Sequence, residues 1–498
     1  MKIINNNKFV FALILLCALF LACCGNRDKV GEETGKSSAE KTKTTAQKNA
    51  RLPLNAEKTA RPGGDKMLMI IIDALRADAL GCYGYDKPTS PTLDKLAAEG
   101  ILFEQLHSAS PWTAPSFGTI FTGVSPTVHG AGGFLARGAS KGTSLFGVTV
   151  GGIRSDLPTL PSLMPDNVKT GAIINNSFVC ETMGFAKGFD TFDHDNARLT
   201  RYRQADKVTD RAVAWLKNNK DNPFFYVVHY FDPHIQYAPP KKYLPEFAPD
   251  KPRRISYPFR DHDSARTGKL KPSDAEKSYI RGLYNGEVRF VDDEIARLLD
   301  SMKEMGLLKN TWIMVTSDHG EEHFDHGSFE HGHRYEEEVV KVPLILRAPQ
   351  GQWRRGERVK SNVSHVDLLP TVLDIFGVKP LDHFEGRTLF PVIEGEDTAD
   401  RTSYIEYNLF NGQQCALYNG HYKVVWDIRR NRGFMYDLKN DPKELTKLSK
   451  DHPAYAVMIK RLMEERAKLK NAARGKLKNK GELSAEAAEA LKSLGYIR

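Results

Sequence analysis

The residues of this chain best able to do chemistry fall in four places. They are Asp73, the run Thr113-Ala114-Pro115-Ser116, the run Asp232-Pro233-His234, and Asp318-His319, with His331 and His333 just beyond. Each follows or opens a stretch that reads as a regular element. A carboxylate or imidazole just past a buried strand gains little from packing there, but it is well placed for a crevice shared by several strand ends. Asp73, Asp318 and His319 offer oxygen and nitrogen ligands to a divalent cation. Thr113 is the candidate nucleophile and, through the same hydroxyl, a further metal ligand. A threonine hydroxyl is a weak nucleophile until a base or metal lowers its pKa. Taken alone, Thr113 is more simply the N-cap of a helix entered at Pro115, whose amides would attract an anion. One ion is expected. A second would need Asp232, His234, His331 or His333. Calcium suits an oxygen-rich site, and imidazole ligands favour zinc or manganese.

The elements that must position these groups alternate. Residues 67–72 (MLMIII) form an apolar run that predicts a strand buried on both faces of a mostly parallel sheet, with Asp73 at its end. Phe224 to Tyr230 and Thr311 to Thr316 predict two more such strands, each running into a candidate site, and Val342 to Leu346 a fourth. Helices are expected over 92–99, 206–218, 274–305 and 365–376. The third opens on a capping box, Ser273 with Glu276, and the last ends at Gly377. This alternation predicts an α/β layered catalytic domain over 67–378. Short polar strands and turns over 379–450 predict a smaller subdomain. Residues 451–498 are expected to form a basic tail, with a helix and loop over 456–480 and a second small helix over 483–494.

The N-terminal stretch addresses location. Lys2 and Lys8 precede sixteen unbroken apolar residues, 9–24, too short for a comfortable membrane span and suited to an export signal. Leu21-Ala22-Cys23-Cys24-Gly25 resembles the lipobox of bacterial lipoproteins, with Cys23 or Cys24 as the lipidated residue. The expectation is a signal peptide over 1–24, a flexible tether over 25–66 and a protein held by acyl burial on the outer side of a bacterial membrane. Three further cysteines, Cys82, Cys180 and Cys415, give no complete disulfide framework. The net charge of +9 comes partly from the tether and the tail, with no basic stripe interleaved with aromatics. A nucleic-acid partner is therefore not expected, and an anionic membrane surface is the easier match. The oligomeric state is not legible.

Several motifs together resemble the sulfatase-like enzymes of the alkaline phosphatase superfamily. They are Ile70 to Tyr85 (IIIDALRADALGCYGY), Ser110 to Gly130 (SPWTAPSFGTIFTGVSPTVHG), the stretch from Ser317 beginning SDHGEEHFDHG, Asp367 to Gly377 (DLLPTVLDIFG), and Tyr436-Asp437-Leu438 with Asp441-Pro442. The resemblance implies an alkaline-phosphatase-like sandwich, with a central mostly parallel sheet flanked by helices and a C-terminal subdomain with a short antiparallel sheet. It implies Asp73, Asp318 and His319 as metal ligands, Thr113 at the nucleophile's place, and His234 against the transferred group or the leaving oxygen. His331 falls where many members carry a substrate-binding lysine, and His229 and His333 are weaker candidates. The resemblance also makes a small-molecule, glycan or lipid-headgroup ester the expected substrate.

The departures carry direction. Sulfatases proper place Cys or Ser, the precursor of formylglycine, where Thr113 stands, and Arg where Phe117 stands. A second aspartate often follows the first, and here it is Ala74. The lysine and histidine that help bind sulfate have no counterpart in Thr170 to Cys180, which offers Asn175 and Asn176. Threonine cannot form the aldehyde whose hydrate expels sulfate by elimination, whereas a phosphorylated or phosphonylated threonine can be cleaved by attack at phosphorus. Fewer cations around the transferred group favour a singly charged diester or phosphonate ester over a dianionic monoester, unless Arg76, Arg334 or a second metal fills the gap. The leading expectation is thus metal-dependent hydrolysis or transfer of such an ester through a covalent threonine. A sulfatase acting without formylglycine is the second reading, and an inactive binding protein of the same fold the third.

Overall fold

A computed structural model describes residues 64–133, 143–145, 148–194, 202–349, 353, 355–399, 401–407 and 414–474. The expected signal peptide, nearly all of the tether and the helix over 483–494 lie outside the described residues. Eight strands form the main sheet: β1 (Lys66–Ile72), β2 (Ile101–His107), β3 (Lys169–Ile174), β4 (Thr191–His194), β5 (Phe224–Tyr230), β6 (Trp312–Ser317), β7 (Lys341–Arg347) and β8 (Glu357–Ser364). Their order is β8-β2-β7-β6-β1-β5-β3-β4. Only β7 runs against its neighbours; every other pairing is parallel. The strands that end in candidate residues, β1, β5 and β6, sit side by side at the centre.

The alternation of side chains along β1 builds the sandwich. Met67, Met69 and Ile71 enter one core with Phe117, Phe121, Leu369 and Leu373. Leu68, Ile70 and Ile72 enter the other with Val208, Leu216, Leu283 and Ile295. Helices α2 (Thr113–Thr122) and α5 (Leu368–Ile375) therefore cover one face. Helices α1 (Pro91–Glu99), α3 (Ala205–Asn219) and α4 (Asp274–Glu304) cover the opposite one. The capping box expected at α4 is formed: the Ser273 amide donates to Glu276 Oε2 at 2.9 Å and the Glu276 amide to Ser273 Oγ at 3.3 Å.

A second, antiparallel sheet follows, in the order β9 (Thr402–Glu406), β10 (Gln414–Asn419), β11 (Tyr422–Asp427) and β12 (Arg432–Asp437). Helix α6 (Pro453–Arg474) lays Met458, Leu462 and Leu469 against Leu417, Val424 and Met435 of this sheet. The basic helix thus shares the core of the C-terminal unit. Among the described residues no helix is long and apolar enough to cross a membrane.

Buried charge joins the two sheets. Lys423 of β11, fully buried, pairs with Glu444 at 2.5 Å and approaches Glu337 at 3.7 Å. Tyr418 donates to Glu337 Oε1 at 2.7 Å, and the Glu337 amide donates to Glu444 Oε2 at 2.7 Å. Removing one partner of such a network strands the others away from water. Lys423→Met is expected to lower stability by about 3–5 kcal/mol, read by denaturant unfolding. A change below about 1 kcal/mol would show that the two acids are compensated elsewhere.

Candidate active site

Beyond the central strands the chain places its candidate groups in one buried cluster. Asp73 continues β1, its amide donating to the Tyr230 carbonyl at 2.9 Å. Asp318 follows β6, and its Oδ1 accepts from the Ala74 amide at 3.2 Å and the His319 amide at 2.9 Å. Ala74 has a left-handed backbone (φ 56°) that presents this amide. The turn at Gly320 has no room for a side chain: a Cβ there would lie 2.1 Å from the Glu338 carbonyl oxygen, where the chain is held by a bond from the Gly320 amide to the Val339 carbonyl.

One ligand atom from each of Asp73, Asp318 and His319 lies within 4.8 Å of the others, the only such group found among the described residues. All three side chains are fully buried. His319 Nδ1–H donates to the Gly320 carbonyl at 2.8 Å, which leaves Nε2 as a bare lone pair toward Asp73 Oδ1 and Asp318 Oδ2, each at 3.5 Å. Asp73 Oδ1 and Asp318 Oδ2 have no hydrogen-bond donor. Burial and the adjacent Asp73 carboxylate push the Asp318 carboxyl well above its ordinary range. Burial likewise opposes the charge of Asp73, but His234, His229 and His319 outweigh it and hold that carboxyl below its ordinary range. Two buried carboxylate oxygens without donors, facing one imidazole lone pair, are the donor set a divalent cation requires.

Thr113 is the first residue of α2, and its hydroxyl points into this cluster rather than capping the helix. Oγ1 lies 3.2 Å from His319 Nε2 and 3.4 Å from Asn176 Nδ2, with no bond to a helix amide. The helix is seated by His129, whose Nε2 lies 3.1 Å from both Thr119 Oγ1 and the Pro115 carbonyl. Gly118 makes room for that ring, since a Cβ there would approach it to 2.3 Å.

Three imidazoles surround the cluster. His229 Nδ1 accepts from the Asn175 amide at 3.2 Å, so its proton sits on Nε2, 3.4 Å from Asp73 Oδ2. Phe117, where the family resemblance led to an arginine, sets its ring edge against His229 at 5.0 Å. His234 Nδ1–H donates to the Ile235 carbonyl at 2.8 Å, and its Nε2 makes no hydrogen bond among the described residues. His331 sits 4.2 Å from the His319 ring and 4.9 Å from the His234 ring, centre to centre.

Other expected candidates have different work. His333 is structural: Nδ1 lies 3.0 Å from the His331 carbonyl and Nε2 2.7 Å from Ser328 Oγ. Asp232 has both carboxylate oxygens engaged away from the cluster. Its Oδ2 accepts from the Ala205 amide at 2.9 Å at the start of α3, and its Oδ1 from Tyr202 at 3.1 Å. Arg76 does not supply the missing cation, because its guanidinium is held by Asp78 and Asp325, each at 2.7 Å, and by the Glu321 carbonyl at 3.0 Å. Arg334 is engaged by Glu336 at 3.3 Å. Among the described residues no lysine or arginine is hydrogen-bonded to Asp73, Thr113, His234, Asp318, His319 or His331.

Two residues join the site that sequence reasoning did not assign to it. Asn176, noted there only as a residue of the Thr170–Cys180 region, donates to Asp73 Oδ2 at 2.8 Å. Glu321, fully buried, sets Oε1 2.9 Å from His331 Nδ1. The signal for Glu321 was its place two residues after His319 in the SDHGEE run.

Comparison with known proteins agrees with this geometry. The sulfatase family model matches residues 66–378, and the model of the N-sulphoglucosamine sulphohydrolase C-terminal region matches 324–472. An uncharacterized sulfatase, YidJ, of Escherichia coli (strain K12) is 26% identical over 426 residues, covering 77% of this chain and 83% of that protein. An N-acetylglucosamine-6-O-sulfatase of Bacteroides thetaiotaomicron is 25% identical over 503 residues, covering 82% and 86%. The crystal structure of a phosphonate monoester hydrolase of Agrobacterium radiobacter superposes with a TM-score of 0.63 over 81% of this chain and 94% of that one, at 19% identity. Enzymes of the matched family bind a divalent metal, for which the Asp73, Asp318 and His319 cluster is the candidate site here. With the sheet, the antiparallel C-terminal unit and the family match in agreement, the chain belongs to the sulfatase family, as a sulfatase-like hydrolase of ester bonds.

Proposed function

We propose that the protein cleaves a singly charged phosphorus ester, a phosphodiester or a phosphonate monoester, through a covalent intermediate on Thr113. The observation that carries this reading is the Thr113 hydroxyl 3.2 Å from His319 Nε2 in a buried cluster with no lysine or arginine hydrogen-bonded to it among the described residues. A threonine cannot become an aldehyde, so a sulfated threonine would have no elimination route. A site without a fixed cation is also poorly matched to a dianion. A divalent cation held by Asp73, Asp318 and His319 would supply Lewis-acid stabilisation of the developing charge and lower the pKa of the nearby hydroxyl.

The chain's own groups do the rest. Asn176 Nδ2 bridges Asp73 and Thr113 and fixes the hydroxyl rotor. Thr113 Oγ1 attacks phosphorus and the ester oxygen departs. His331 protonates that oxygen through Nε2, or His234 does so as an imidazolium, its Nδ1–H being already given to the Ile235 carbonyl; Nε2 in both rings has no hydrogen bond among the described residues. Water then attacks the phosphorus-bound threonine, or a second alcohol does and the enzyme acts as a transferase. The relatives named sulfatases support the second reading, a sulfuric ester hydrolase acting without formylglycine. The lipobox-like Cys23 and Cys24 support an enzyme anchored on the outer face of a bacterial membrane, within reach of glycan or lipid-headgroup esters.

A turnover comparison of an aryl sulfate, an aryl phosphate monoester, a phosphodiester and a phosphonate monoester, each with calcium, manganese or zinc, tests the assignment. The diester or phosphonate is expected to exceed the sulfate in kcat/KM by about 100-fold or more, a transition-state difference of roughly 3 kcal/mol. Faster sulfate cleavage would reverse it.

A further inference from the structure

At position 331 the family resemblance leads to a lysine, and this chain has an imidazole with a buried carboxylate of its own. Glu321 is fully buried and its Oε1 lies 2.9 Å from His331 Nδ1, the one hydrogen bond that ring makes among the described residues. Glu321 is itself anchored by its backbone, whose carbonyl accepts from the Arg76 guanidinium at 3.0 Å and whose amide donates to the Glu338 carbonyl at 3.0 Å. With Nδ1 committed, the His331 ring has one orientation, and Nε2 remains open beside His234 and His319. A lysine at this place would offer a fixed charge. An imidazole held by a carboxylate offers a directed proton.

We propose that Glu321 is a positioning residue that acts through His331, holding its ring so that Nε2 delivers the proton to the departing ester oxygen. The inference rests on the reading that Thr113 displaces an oxygen leaving group from phosphorus. Thr113 reacts as its alkoxide, the hydroxyl proton having passed to solvent; as the bond from Oγ1 to phosphorus forms, the bond from phosphorus to the ester oxygen breaks with both electrons going to that oxygen. The Nε2 proton of His331 neutralises it. The Glu321–His331 pair holds two protons before the step and one after, the remaining one shared between Nδ1 and Oε1. Water then attacks phosphorus, the bond from phosphorus to Oγ1 breaks with both electrons returning to Oγ1, and of the two water protons one restores His331 Nε2 while the other stays on the hydroxyl now bound to phosphorus.

The test is the dependence of kcat/KM on leaving-group acidity. A series of substituted-phenyl phosphodiesters from nitrophenyl to methoxyphenyl is measured with the full chain and with Glu321→Gln, His331→Ala and the double variant. A nitrophenolate leaves unaided, whereas a methoxyphenolate needs the proton. Glu321→Gln is expected to lose about tenfold more on the methoxyphenyl ester than on the nitrophenyl ester, and His331→Ala about 100-fold more. The double variant is expected to match His331→Ala within about twofold, since a residue acting only through another has nothing to lose once that partner is gone. The ratio of two substrates on one preparation does not depend on the fraction folded, so a purely structural role would not move it. A steep series for His331→Ala with an unchanged one for Glu321→Gln overturns the assignment of Glu321. An unchanged series for both overturns the pair as proton donor. Loss of turnover in Thr113→Ala alongside either result would keep the threonine reading standing, and retained turnover there would remove both.

Discussion

Replacing Thr113 by alanine is expected to lower turnover by about 10⁴- to 10⁶-fold while leaving the unfolding transition almost unchanged. A nucleophile that forms a covalent intermediate cannot be replaced in part by its neighbours, and losses of this order follow its removal elsewhere. The fold has little stake in the hydroxyl. Oγ1 caps no helix amide, and among the described residues its only partners are His319 Nε2 and Asn176 Nδ2. The methyl group is the smaller concern, since Thr113 opens the helix beside Ala114 and Pro115 and alanine is a good helix former. Thr113→Ser separates the two contributions: it keeps the oxygen, and turnover within about tenfold of the unmodified enzyme is expected.

The second large effect is at Asp318. Asp318→Asn is isosteric, and its amide oxygen can still accept from the Ala74 and His319 amides. What it removes is the buried Oδ2, which has no donor. Metal bound per chain is therefore expected to fall to near zero with the fold retained, and turnover by about 10³-fold or more, since a Lewis acid supplies several kcal/mol of transition-state stabilisation. Chelation is the diagnostic. A cation present at 100 times its dissociation constant stabilises the folded state by about 2.7 kcal/mol. Stripping it from the unmodified protein should lower the melting temperature, and the asparagine variant should show no response. The variant without metal should be at least as stable as the metal-free parent, because one of two mutually repelling buried carboxylates is gone. Equal metal content in both proteins, measured on purified samples, would remove Asp318 from the ligand set.

How much of this was legible in the sequence depends on where each residue sits. The central strands β1, β5 and β6 announce themselves because both of their faces are covered, which leaves the runs dominated by apolar residues. The groups at their ends then stand out as polar residues without a packing reason, and Asp73, Asp318 and His319 do converge. Strand β8 (ERVKSNVS) was not anticipated, for it forms the sheet edge and five of its eight residues are exposed or half-buried. Strand β4, at the other edge, has only four residues and the same problem. Asp232 read as a ligand because it follows a buried strand, as Asp73 does. Its carboxylate is instead spent on the first amide of α3, nearly thirty positions earlier in the chain, a long-range cap that no local signature records. Glu321 and Asn176 were missed as site residues for a related reason: their significance lies in partners, His331 and Asp73, that tertiary folding alone brings near.

The account stands on one covalent bond. The most direct measurement is rapid acid quench of the enzyme during turnover of a phosphonate monoester, followed by peptide mass spectrometry. A phosphonyl group on the peptide containing Thr113, absent from the Thr113→Ala variant, is the result expected. An adduct on another residue, or steady turnover with no adduct and with inversion at a chiral phosphorus centre, would contradict it.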